Sequence, residues 1–203
     1  MSSERYRTLA GAGEATYREK ASRFMAYAFP IVDEAAFQYE AERLARLHHD
    51  ARHHCHAWVL GVDGARKRAN DAGEPQGTAG RPILRRIEAA GLTYAAVVVV
   101  RYFGGTLLGK GGLVRAYGEA AQLALQAAPV VERAVRAPLT ITCDHALVGP
   151  LRAAVLDAEG EVVRATYEER CRLDVLLRPS LIPAFRDRWT VRGARFLDQS
   201  DAK

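Results

Sequence analysis

The sequence predicts an α+β protein of two domains, and three observations carry that reading. Strand patterns and helix patterns are mixed along the chain, with one strand pair, 53–60 and 66–69, joined by the short turn Val62-Asp63-Gly64-Ala65. Pro129 and Pro138 bracket a segment expected to be a linker, which divides the chain into domains 1–135 and 136–203. Beyond it a strand-and-helix pattern restarts. With 203 residues, 49% of them hydrophobic, the chain can bury a sizeable core.

The elements follow in order. Residues 23–32 (RFMAYAFPIV) read as a strand interrupted by Pro30, and Asp33 can cap a helix running to Leu47. Phe37, Ala41 and Leu44 share one face of that helix. Residues 70–80 (NDAGEPQGTAG) are loop chemistry throughout. Pro82 suits the first position of a second helix, with Ile83, Leu84 and Ile87 as its buried stripe and Gly91 as its stop. Residues 94–103 (YAAVVVVRYF) do not alternate, so they predict a strand buried on both faces. A third helix carries Leu113, Tyr117, Ala120 and Ala124 inward and ends near Ala128. In the second domain, strands at 139–144, 161–167, 170–177 and 194–197 and helices at 149–158 and 179–189 give the order β-α-β-β-α-β of a ferredoxin-like domain.

The net charge is +5, and the first 135 residues hold most of it, 18 basic against 14 acidic. This surplus permits an anionic partner and equally serves solubility. Cys55, Cys143 and Cys171 are too few and too scattered for a disulfide framework and suit a reducing compartment. The polar start lacks the apolar core of a signal peptide, and the longest apolar run, 94–100, is too short to span a membrane. A soluble cytoplasmic protein without membrane association is expected.

The segment 97–113 (VVVVRYFGGTLLGKGGL) contains Gly104-x-x-x-x-Gly109-Lys110, close to a P-loop. A P-loop places Ser or Thr after the Lys to hold magnesium; here that residue is Gly111, which speaks against ATP or GTP hydrolysis. Two readings remain. The glycines Gly104, Gly105, Gly111 and Gly112 can mark a tightly packed corner. Alternatively, backbone N–H groups at the helix start can cradle a phosphate, with Arg101, Lys110 and Arg115 adding charge. Tyr102 and Phe103 fall on opposite faces of a strand, so one of them at most can present a stacking surface to a base.

His53-His54-Cys55-His56 offers two possible ligands on each face of a strand, half a zinc site, with no second pair at ligand spacing. Neither a metal nor another cofactor is expected, and no catalytic residue is assigned. Asp71 and Glu74 can do acid–base work, or Glu74 or Thr78 can cap backbone N–H groups near Pro82; capping is the preferred reading.

Together these residues resemble a known family. Ser22-Arg23-Phe24, Arg52-His53-His54-Cys55, Asp71 with Gly73-Glu74-Pro75, Gly77-Thr78-Ala79-Gly80 with Pro82, and residues 98–105, 108–109 and 111–117 are similar to the YigZ/IMPACT family over about residues 17–128. One departure is Ala72, where the family usually has a second Asp before Gly-Glu-Pro. The resemblance implies a first domain of the ribosomal protein S5 domain 2 type, akin to domain IV of elongation factor G, and a second akin to its domain V. It also implies a non-catalytic RNA- or ribosome-associated binding protein linked to translation regulation. The alternatives are a hydrolase using the Glu74 loop and the 53–56 strand, with His54 as one of its groups, and a regulator that binds another protein.

Overall fold

Four consecutive valines need apolar partners on both sides, and the strand that holds them lies at the centre of its sheet. The computed structural model describes residues 4–197. It divides into two units, one from Glu4 to Arg133 and one from Ala134 onward.

The first unit contains β1 (Arg5–Leu9), β2 (Gly13–Glu19), β3 (Ser22–Pro30), α1 (Glu34–Leu47), β4 (His53–Leu60), β5 (Arg66–Asn70), α2 (Gly80–Ala89), β6 (Ala95–Tyr102), α3 (Gly109–Ala127) and β7 (Val130–Ala134). Five strands form an antiparallel sheet in the order β2-β3-β6-β4-β5. On one face Cys55, Ala57, Val97 and Val99 pack with Ile83, Ile87, Leu113 and Tyr117 of α2 and α3. On the other, Tyr27, Trp58, Val98 and Val100 pack with Phe37 and Leu44 of α1. Burial from both sides explains why residues 95–101 are all buried. This is the S5 domain 2-like architecture that the resemblance implied.

Asp33 caps α1, accepting from the Ala36 N–H at 2.7 Å, as the sequence predicts. Three strands depart from the sequence reading. Residues 130–134, expected within a linker, form β7 and pair with β1; β2 extends the sheet beyond β3. The helix expected to begin at Pro82 begins two residues earlier, because Asp71 supplies a cap that allows it to.

The second unit comprises β8 (Ala137–Cys143), α4 (His145–Asp157), β9 (Glu161–Tyr167), β10 (Cys171–Leu177), a 3-10 turn at Pro179–Leu181, α5 (Ile182–Thr190) and β11 (Arg195–Leu197). Its strand order is β11-β8-β10-β9, which places the first and third strands at the centre, as a ferredoxin-like fold requires. Leu139, Ile141, Leu173 and Val175 meet Leu151, Val155, Phe185 and Trp189 in its core. The helix expected from Gly149 begins one turn earlier, at His145. Pro150 sits in its second turn, where its missing N–H forfeits one backbone bond.

Candidate functional site: a buried ion pair beneath a glycine corner

The end of β6 carries the chemistry. Arg101 pairs across the sheet with Phe24 of β3 and His53 of β4, which turns its side chain toward α2 and α3. There its Nη1 lies 2.7 Å from Glu74 Oε1, with side-chain exposures of only 7% and 4%. Arg101, expected to add charge around a phosphate at the helix start, is therefore corrected to an internal charge. The Tyr117 hydroxyl donates to the same Glu74 oxygen at 2.8 Å. Burial, with Cys55 and Glu74 nearby, pushes the Tyr117 phenol far above its usual range, so it is a neutral donor. Ser22 Oγ accepts from the Gly104 N–H at 3.3 Å, which ties the start of the corner to β3.

Asp71, not Glu74 or Thr78, is the helix cap. Its carboxylate accepts from the N–H groups of Gly77, Ala79 and Gly80 at 2.8–2.9 Å. The Thr78 hydroxyl instead donates to the Pro75 carbonyl at 2.6 Å. Burial alone would raise the Asp71 carboxyl, but the three N–H bonds outweigh it and hold the group below its ordinary value. A lowered folded-state value contributes stability above the unfolded value of about 3.9, and that stability is lost as pH falls through the folded value. Asp71→Asn should accordingly flatten the acid limb of the stability profile below about pH 4. Asp71→Ala should cost about 2 kcal/mol at neutral pH, measured by urea unfolding.

The histidine strand divides between two faces. His53 donates through its Nδ1–H to the Ala72 carbonyl at 2.9 Å, on the side of the loop. His54 and His56 face α1, where His56 lies 4.8 Å from the Phe37 ring. Burial lowers both of their values, which keeps them neutral. Cys55 is fully buried, its thiol donating to the Asp71 carbonyl at 3.0 Å, and burial pushes it up to about 12. It is no nucleophile at neutral pH. The fold thus separates His54 and His56 from Glu74 by the thickness of the sheet and leaves His53 as the histidine of this strand on the side of the Glu74 loop. Among the described residues no group of three or more His, Cys, Asp or Glu is placed to hold a metal ion.

The glycines have separable reasons. A Cβ on Gly104 would lie 2.0 Å from the backbone of Ala21, so this position is packed shut. Gly105 and Gly109 adopt φ of +83° and +71°, which favour glycine. A Cβ on Gly112 would meet Leu108 at 3.0 Å. Gly111 alone of these is unconstrained: a Cβ there meets nothing within 4 Å. The notion that the whole set exists for phosphate approach therefore narrows to Gly111. Lys110 and Gly111 are exposed in the first turn of α3, which has neither a side-chain cap nor an acidic residue.

Beside this corner lies a cleft of about 550 Å³, lined by Asp50, Arg52, His53, Arg101, Tyr102, Phe103 and Leu107 among others. Tyr102 is occupied. Arg23 stacks on its ring at 4.8 Å, and its hydroxyl donates to Asp50 and meets His48 Nδ1. Because that one proton goes to Asp50, the ring N–H of His48 donates to Tyr102 and Nε2 accepts from Tyr27. Phe103 remains 55% exposed and Leu107 81%. Arg115, 63% exposed, shares its charge with Glu19 at 3.0 Å. Sequence reasoning missed Arg52 and Lys20 as cations of this surface. Lys20 reaches the Leu107 carbonyl at 3.2 Å across a separation that no local pattern signals.

The Impact N-terminal domain family matches residues 20–125, which enclose Glu74, Arg101 and the whole corner. The chain belongs to the IMPACT family. It is 34% identical over 168 residues to the IMPACT family member YigZ of Escherichia coli, covering 82% of each chain. It is 45% identical over 146 residues to an IMPACT family member of Thermus thermophilus, covering 68% of this chain and 76% of that one. A crystal structure described as a hypothetical protein aligns with a TM-score of 0.76 at 31% identity, covering 96% of this chain and 97% of that one. Ala72, in the loop below the corner, has φ +43°, a backbone that favours Asn, Asp or Gly over alanine. No helix among the described residues is long and apolar enough to cross a membrane.

Proposed function

We propose that this IMPACT family protein is a non-catalytic RNA- or ribosome-associated binding protein in translation regulation, and that the glycine corner with its cleft is the contact surface. One observation carries the reading. An uncapped helix start, an open glycine and an exposed phenylalanine are ringed by Lys20, Arg23, Arg52, Lys110 and Arg115, against Glu19 and Asp50. Backbone N–H groups and cations hold phosphates, and Phe103, 55% exposed with the Arg101 guanidinium 5.4 Å from its ring centroid, supplies aromatic surface for a base. The buried Glu74–Arg101 pair fixes the end of β6 and leaves these groups on rigid backbone. The expected kinship of this domain to domain IV of elongation factor G, implied by the sequence resemblance, points the same way. The cytoplasm is its expected location.

The test is fluorescence titration with short single-stranded RNA. Phe103→Ala should weaken binding about tenfold with little change in salt dependence, as loss of one stacked base predicts. Unchanged affinity in this variant would remove the cleft from the interface.

A second reading has its own observation. Phe103, Leu107 and Val114 expose apolar surface close together in sequence, which also suits a protein partner. Such a complex would depend weakly on salt, whereas RNA binding would depend on it steeply.

A further inference from the structure

In the second unit, a separate cleft of about 640 Å³ lies between α4 and the 3-10 turn and helix α5. Its lining contains Arg178, Arg188 and Arg192 and a single acid, Asp157. Among the described residues, none of the three arginines forms an ion pair. Trp189, 1% exposed, also lines the cleft, and two guanidiniums sit over its ring, Arg192 at 5.2 Å and Arg188 at 5.7 Å from the centroid. Two donors here are buried without an acceptor, Trp189 Nε1 and Arg178 Nε.

Three arginines beside one acid with which none of them pairs leave the cleft with excess positive charge, and buried N–H groups without acceptors are rare in folded proteins. The excess charge is offset if an anion with several acceptor oxygens occupies the cleft, and the two unpaired donors belong to side chains that line it. Guanidinium forks match the spacing of phosphate oxygens, and stacking on the indole holds two of them in place.

We propose that this cleft binds a phosphate group, held by Arg178, Arg188 and Arg192 beside Trp189. The site belongs to the second unit and does not depend on the glycine corner of the first. Its phosphate comes either from a small phosphate ester or from the backbone of RNA.

The test is a titration of the full chain, followed by the indole N–H signals in a ¹⁵N-correlation spectrum. The chain has two tryptophans, and Trp58→Phe assigns the second signal to Trp189. Inorganic phosphate should move the Trp189 signal saturably, and chloride at equal ionic strength should not. Arg178→Gln and Arg192→Gln should each weaken that response about tenfold, the loss of one charge-assisted contact. Lys110→Ala should leave it unchanged. Repeating the titration with an RNA oligonucleotide and with a nucleoside monophosphate identifies the source: the ligand that moves the signal at the lower concentration is the one the cleft takes. The proposal is overturned if Trp189 does not respond to phosphate, or if chloride moves it equally. It is also overturned if the response persists unweakened in folded Arg178→Gln and Arg192→Gln proteins. Weakened RNA binding in Lys110→Ala with this response intact would separate the two sites.

Discussion

Replacing Arg101 by methionine is expected to destabilise the first unit by about 3–5 kcal/mol, because it strands the Glu74 carboxylate in the core. Glu74 is 4% exposed and would keep only the Tyr117 hydroxyl. For a unit of this size the loss corresponds to a melting point lower by roughly 10–20 °C. Glu74→Leu should cost a similar amount, since Arg101 would then be buried with a weak 3.5 Å contact to Ser22 as its remaining hydrogen bond. The double variant Glu74→Leu/Arg101→Met should be clearly more stable than the sum of the single losses predicts. It removes both charges, and a buried pair contributes little compared with apolar residues of the same volume. Chemical denaturation of the three variants measures the coupling. Additive losses would mean that the two side chains do not act as a pair.

Gly104→Ala should be the most damaging of the glycine substitutions, costing at least about 3 kcal/mol, because its Cβ would fall 2.0 Å from the carbonyl carbon and oxygen of Ala21. Backbone on both sides cannot yield as a flexible side chain would. Gly111→Ala is its counterpart. That position is helical and faces open space, so alanine should leave stability unchanged or raise it by up to about 1 kcal/mol. If a phosphate approaches the backbone there, the same stable variant should bind RNA more weakly. Thermal melts and RNA titrations of the two variants separate the packing role of the corner from its binding role.

Much of the fold was legible because its decisive elements carry local signals. The run 94–103 has no polar face, so only a central strand accommodates it, and Asp33 stands where a cap belongs. The strands that went unread, β1, β2 and β7, are edge or paired-off strands rich in charge. In β2 the sequence GEATYRE does alternate, with Ala15 and Tyr17 inward, but between Glu and Arg that period is faint. The site was half legible. The glycines, Lys110 and the loop 70–80 announce themselves, yet Arg101 after four valines reads as the exposed end of a strand. Its partner lies 27 residues earlier, in the loop between β5 and α2, and only the packing of α3 over β6 encloses the two. Asp71 and Glu74 illustrate the same limit. They are three residues apart in one loop, and only tertiary structure decides that the first caps a helix and the second neutralises an arginine.

The measurement that bears most directly on the account is the salt dependence of RNA binding by the wild-type chain and by Lys110→Ala. Lys110 is exposed at the start of α3 and pairs with no acid among the described residues, so the substitution removes one phosphate contact and little else. The account predicts measurable binding that falls steeply with salt, and a slope of log affinity against log salt concentration lower by about one in the variant. Equal affinity and equal slope in a stably folded Lys110→Ala protein, or no RNA binding by the wild type at low salt, would contradict it.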